Sequence, residues 1–146
     1  MLGLRDADAV LIARSISAMG ALPRLRELNL YNNEIGDPGM KALADACAIG
    51  ALPQVRELGL GGNQIGDDGM KALATACVSG ALAQCTCLYL QSNQIGDAGM
   101  KALADACAIG ALPMCTYINL NKNPASDEAH SLLRLAVKDA IKNRSK

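Results

Sequence analysis

Residues 28–53, LNLYNNEIGDPGMKALADACAIGALP, decide the fold, because this stretch returns almost unchanged thirty residues on and again thirty after that. Residues 35–53 and 95–113 differ only in Pro38 against Ala98. A chain repeating at this period stacks identical supersecondary units, each burying its apolar face against its neighbours, and such stacks work by offering a surface. Working outward, the units are residues 21–50, 51–80 and 81–110, with a degenerate fourth at 111–140.

Each unit opens on the spacing L-x-x-L-x-L-x-x-N. It runs Leu25, Leu28, Leu30, Asn33, then Val55, Leu58, Leu60, Asn63, then Cys85, Leu88, Leu90, Asn93, and finally Cys115, Ile118, Leu120, Asn123. Its last two apolar positions alternate with polar ones, which predicts a short strand with one buried face. A helix follows. Met40, Leu43, Ala44 and Cys47 fall on one face at helical spacing while Lys41 and Asp45 fall on another. Asp37, Asp67, Asp97 and Asp127 are expected as N-caps of their own helices, with Pro38 at the first helical position. Gly50, Gly80 and Gly110 are expected to end the helices in the left-handed conformation, and Pro53 and Pro113 reinforce the stop.

These residues resemble the leucine-rich repeat family, in particular its ribonuclease-inhibitor-like class, in which every strand is followed by a full helix. The thirty-residue period slightly exceeds the usual range for such repeats, and the Gly-Ala-Leu-Pro return accounts for the surplus. The resemblance implies an α/β fold, a right-handed β-α superhelix with an inner parallel sheet and outer helices. The same curvature follows physically, since strands stack about 4.8 Å apart and helices about 8 to 10 Å, bending the stack toward its strands. One domain is expected over residues 1–146: a capping helix at 1–20, three near-identical repeats at 21–110, and a degenerate repeat with a C-terminal capping helix at 111–146. In the first helix Ala9, Ile12, Ile16 and Met19 form the apolar stripe, although a strict thirty-residue offset would set Arg14 against Ala44. In the last, Leu133, Val137 and Ile141 are expected to be buried and Arg134, Lys138, Lys142 and Arg144 exposed.

Composition narrows the partners. Fourteen basic and fourteen acidic residues cancel, so no overall field attracts nucleic acid or an anionic membrane, and neither is expected as a partner. Arg5, Asp6, Asp8 and Arg14 interrupt any apolar run near the start long enough for a signal peptide or membrane span. Six cysteines without a secretory signal point to thiols in a reducing compartment, with cytoplasm as the expectation.

No residue set reads as catalytic, and no cofactor or metal site is expected. Asn33, Asn63, Asn93 and Asn123 repeat with the period and suit a structural role, each satisfying turn backbone of its own and the neighbouring unit. Cys47, Cys77 and Cys107 share one core column, Cys85 and Cys115 another, while the offset turns Cys87 outward. His130, the sole histidine, takes the place of Met40 and is expected to pack against the cap. The stretch 59–62 lacks the Lys-Ser/Thr ending of a phosphate loop.

What remains is the outward strand face. It comprises Glu27, Asn29 and Tyr31; Glu57, Gly59 and Gly61; Cys87, Tyr89 and Gln91; and Tyr117, Asn119 and Asn121, a set holding all three tyrosines of the chain. Tyrosine is a frequent interface anchor and also simply favours strands. Glu27 and Glu57 should lie side by side and repel unless Arg26, Arg56 or a basic group on a partner compensates. Gly59 and Gly61 leave the second strand bare, either a shallow notch between Tyr31 and Tyr89 or an open face that tolerates glycine. The expected function is non-enzymatic binding of a protein partner through this concave face. Two alternatives remain: regulation of an enzyme, GTPase-activating or inhibitor-like, and weak self-association of a repeat with an uncovered edge strand.

Overall fold

A computed structural model describes residues 3–18 and 22–143. Met19 and Arg144, and the junction between the first helix and the first full repeat, lie outside the described residues. Helix α1 spans Asp6–Ala18, and four strand-helix pairs follow it: β1 Glu27–Asn29 with α2 Asp37–Ala48, β2 Glu57–Gly59 with α3 Asp67–Val78, β3 Cys87–Tyr89 with α4 Asp97–Ala108, and β4 Tyr117–Asn119 with α5 Asp127–Asn143. The strands form one parallel sheet in the order β1-β2-β3-β4, with Leu28, Leu58, Leu88 and Ile118 in register. Each helix packs on the next. The result is the α/β solenoid that the repeat implies, its sheet on one side and its helices on the other.

Columns of equivalent residues fill the space between the layers. Leu30, Leu60, Leu90 and Leu120 form one, Ile35, Ile65 and Ile95 a second, and Met40, Met70 and Met100 a third, all buried. A buried Leu, Ile or Met side chain is worth about 1.5 to 3 kcal/mol, so the apolar columns dominate cohesion. In α1 the buried residues are Ala9, Ala13 and Ile16. Ala9 meets Gly39 as Met40 meets Gly69, so α1 is offset from α2 by one residue more than the period, and Ala13, not Arg14, matches Ala44. In α5 Leu133 is fully buried while Val137 and Ile141 are half-buried, and Leu132 and Leu135 stay more than half exposed.

Three hydrogen-bond ladders join each repeat to the next. The first is the sheet, which continues past the strand ends through Leu30 N to Gly59 O, Leu60 N to Tyr89 O and Leu90 N to Asn119 O, at 2.7 to 2.9 Å. The second runs through the asparagines. Asn63 Nδ2 donates to Leu30 O at 2.9 Å and Leu60 O at 3.0 Å, and its Oδ1 accepts from Ile35 N at 3.1 Å. Asn93 and Asn123 make the same set one and two repeats later, while Asn33 accepts from Leu4 N at 3.0 Å.

The third ladder corrects the expected role of the aspartates. Helices α2, α3 and α4 have Gly36, Gly66 and Gly96 at the N-cap, with no side-chain cap of their own. Each aspartate instead caps the following helix. Asp6 Oδ1 accepts from Gly36 N and Gly39 N, Asp37 Oδ1 from Gly66 N and Gly69 N, and Asp67 Oδ1 from Gly96 N and Gly99 N, at 2.7 to 3.0 Å. Close packing forces this: a Cβ at Gly69 or Gly99 would lie 2.7 Å from the carboxylate oxygen of the preceding repeat. Asp97 takes Ser126 N at 2.6 Å and the Ser126 hydroxyl at 3.0 Å, and Ser126 Oγ in turn accepts from Ala129 N in α5. Among the described residues no helix follows α5 for Asp127 to cap. The helix ends match the glycine reading, with φ of +83°, +96° and +82° at Gly50, Gly80 and Gly110.

Candidate protein-binding surface

The register sets the outward side chains in three rows. Glu27, Glu57, Cys87 and Tyr117 are lateral partners, as are Asn29, Gly59, Tyr89 and Asn119. The third row is Tyr31, Gly61, Gln91 and Asn121, aligned by the bonds Asn32 N to Gly61 O, Gly62 N to Gln91 O and Ser92 N to Asn121 O. Because the three tyrosines occupy different rows of repeats one, three and four, they cross the sheet on a diagonal. Their rings touch in series: Tyr31 and Tyr89 have centroids 5.9 Å apart, Tyr89 and Tyr117 5.7 Å, with tilts of 56° and 57°. Tilted pairs at this separation are favourable for the ring quadrupoles.

The glycines of repeat two make this diagonal possible. A Cβ at Gly59 would sit 2.7 Å from Tyr31 Cε2, and one at Gly61 would sit 2.5 Å from Tyr31 Cε1 and 2.8 Å from the Gln91 amide. The expected notch between Tyr31 and Tyr89 is therefore not open, because the protein's own Tyr31 leans across the bare strand to fill it, with Gln91 beside it. Both glycines are buried. Gln91 Oε1 is buried without a hydrogen-bond partner.

Beside the ring of Tyr31, on the side of the first two rows, lies a depression of about 180 Å³ lined by Glu27, Asn29, Tyr31, Glu57, Gly59 and Tyr89. Its two glutamates are direct lateral partners, and among the described residues neither forms an ion pair. Arg26 and Arg56 do not compensate them there. Tyr117 is about half exposed, and Asn121 is exposed. The Tyr89 phenol is raised above its ordinary range, first by charge on the neighbouring Cys87, with desolvation and Glu57 adding to it.

The other residues singled out by sequence fall in place. Cys47, Cys77, Cys85, Cys107 and Cys115 are buried, and Cys87 is half-buried on the outward face. Burial pushes the Cys47 thiol up to about 11, and burial, with the neighbouring thiols, pushes Cys77 and Cys85 up to about 12, so none of these three is a nucleophile near neutral pH. His130 is half-buried in α5 with Nδ1 buried and unpartnered. Among the described residues no group of His, Cys, Asp and Glu could hold a metal ion, and no helix is long and apolar enough to cross a membrane. Sequence reasoning missed the contact between rings two repeats apart. The signal was present in the pairing of Tyr31 with two side-chain-free positions in the next repeat.

The comparisons agree with this architecture. A family model described as Leucine Rich repeat matches residues 22–44, 53–74 and 86–104. Among solved structures the fold is similar to that titled Leiomodin-1 Actin-Binding Site 2, with a TM-score of 0.63 at 16% identity, covering 94% of this chain and 91% of that one. It is similar also to the tropomodulin C-terminal domain of Caenorhabditis elegans, with a TM-score of 0.61 at 12% identity, covering 96% of this chain and 95% of that one. No curated protein sequence matches. Three family matches in consecutive repeats, on a parallel sheet with asparagine ladders between its turns, make this chain a leucine-rich repeat protein.

Proposed function

We propose that this solenoid is a non-enzymatic module that binds a protein partner through its concave strand face, in the cytoplasm. The observation that carries the reading is the tyrosine diagonal. All three tyrosines of the chain stand on the outward face, their rings in contact at 5.9 and 5.7 Å. Tyrosine brings large contact area at low side-chain entropy cost, which suits interface anchors. The partner-facing set is Glu27, Asn29, Tyr31, Glu57, Gly59, Cys87, Tyr89, Gln91, Tyr117, Asn119 and Asn121, with Gly61 acting by leaving room for Tyr31. The asparagines at 33, 63, 93 and 123 act structurally, and the class with a full helix in every repeat is the ribonuclease-inhibitor-like one.

The strand face is small. Four strands of about five residues give roughly 300 Å² in projection, against about 800 Å² from each side of a stable interface, so strand contacts alone support transient binding. Actin is one partner to test, since the Leiomodin-1 domain is titled an actin-binding site, although likeness at this identity bears on fold. A photo-crosslinking residue at position 89 and another at Ile49 on the helix side provide the test. The reading expects a discrete protein adduct in source-cell lysate from position 89 and none from position 49. The reverse pattern contradicts it.

Self-association is a second reading, favoured by the outer edges of β1 and β4, against which no further strand of the sheet pairs among the described residues. Beside β4 lies an apolar depression of about 170 Å³ lined by Ile118, Leu120, Leu133 and Val137 among others. Light scattering at rising concentration decides it, a strict monomer excluding the reading.

A further inference from the structure

The depression beside the Tyr31 ring, lined also by Glu27 and Glu57, has a charge and a shape that suit a cationic side chain. We propose that it is a receptor for a single arginine side chain of the partner, a deepening that rests on the concave-face reading above.

Charge comes first. Glu27 and Glu57 are held opposite each other by the parallel register, and like charges at such positions repel. Among the described residues no cation is paired with either, so a cation from outside would meet two unpaired carboxylates side by side. Both residues line the same depression.

Shape comes second. Tyr31, Tyr89 and Gly59, which carries no side chain, line the depression together with Asn29 and the two glutamates, and the Tyr31 ring lies over Gly59. The space of about 180 Å³ is far more than a single water needs and admits the end of a long side chain. Aromatic faces attract cations by their quadrupole. A guanidinium adds what an ammonium lacks: a plane that stacks on a ring, and a rigid fork of donors that spans two carboxylates. The Tyr31 ring that lines the depression covers Gly59 and Gly61. Its position is set by contact with Tyr89 and by the bare second strand, so the receptor is assembled before any ligand arrives.

The test uses the full chain and a defined probe, the peptide acetyl-Gly-Arg-Gly-amide, with its citrulline analogue as the neutral isostere and its lysine analogue as the unforked cation. Binding is followed by chemical shifts of the Gly59 and Gly61 amides and the Tyr31 and Tyr89 rings. The proposal expects saturable shifts confined to these groups, an affinity for the arginine peptide about tenfold above the citrulline peptide, and a rank of arginine over lysine. It expects Glu27→Gln/Glu57→Gln to lose that discrimination while remaining folded, because the substitution removes a repulsion. Equal affinity for arginine and citrulline, or shifts elsewhere on the molecule, overturns it. Partner binding separates this inference from the reading beneath it. If a Tyr31, Tyr89 and Tyr117 triple alanine variant loses the partner and the double glutamine variant keeps it at full affinity, the arginine receptor is wrong and the concave face stands. If neither variant weakens the partner, both fall.

Discussion

Replacing Asp67 with Ala removes the side chain that terminates not its own helix but α4 in the next repeat. One Asp67 oxygen takes both Gly96 N and Gly99 N at 2.8 Å. Hydrogen bonds to a charged group are worth about 1.5 to 3 kcal/mol each when buried, but Asp67 is only half-buried and water reaches the freed amides. Loss of an N-cap costs about 0.5 to 2 kcal/mol in measured series, and two bonds place Asp67→Ala near the top of that range, at about 2 kcal/mol. With about 2.1 cal/mol/K of unfolding entropy per residue, a chain of 146 residues then melts about 6 °C lower. Calorimetry gives the size of the effect, and amide hydrogen exchange gives its location. The first turn of α4 should lose protection, while Gly66 and Gly69, bonded to Asp37, keep theirs. An unchanged melting temperature, or lost protection confined to the start of α3, refutes the capping of one repeat by the one before it.

Asn63→Ala removes three hydrogen bonds of 2.9 to 3.1 Å and strands Ile35 N–H in the core, so urea unfolding should report a loss of about 3 kcal/mol; a loss below about 0.5 kcal/mol, the range of surface changes, contradicts the ladder. Gly61→Val should evict the Tyr31 ring and cost about 1 kcal/mol by overpacking, seen as collapse of the ring-current shifts between Tyr31 and Tyr89; unchanged shifts count against the diagonal. Native-state thiol labelling should modify Cys87 quickly and the five buried cysteines only on unfolding. The thiols also set an alkaline limit. Cys47 is raised to about 11 and Cys77 and Cys85 to about 12, so their contribution is complete below the unfolded thiol value near 8.5 and is lost as pH rises toward those folded values. Stability should fall above about pH 9 by up to about 1.4 kcal/mol per pH unit per thiol, and a flat profile to pH 11 contradicts the burial of these groups.

The repeat made most of this architecture readable. Leu28, Leu30 and Asn33 recur with the period, so one reading of strand, turn and helix serves four times, and each reading checks the others. What sequence did not reveal lies between repeats. Asp37 at the start of a helix has the spacing of a cap for that helix, and nothing in one copy tells that its carboxylate is directed at Gly66 and Gly69 instead. Only the packing distance between helices, with glycine where a Cβ would collide, settles which helix it serves. Gly59 and Gly61 misled in the same way. A strand bare in its own repeat looks open, yet a tyrosine long enough to reach across from the repeat before it closes the gap. The first helix shows the reverse case, where the spacing of Ala9 and Ile16 was a better guide than the period, although Ala13 is the buried residue between them and Ile12 is only half-buried, because burial acts on the helix face and not on the residue count.

The invariant positions thus hold the solenoid together, and the outward positions where the repeats differ are left for recognition. The claim that these carry the function is tested most directly by affinity capture from the source cell with two variants that both melt cooperatively. One is Tyr31→Ala/Tyr89→Ala/Tyr117→Ala on the strand face, and the other is Ile49→Ser/Ile109→Ser on the helix side. Loss of the captured partner with the tyrosine variant and its retention with the isoleucine variant is the predicted result. A partner that survives the tyrosine changes and is lost with the isoleucines contradicts it.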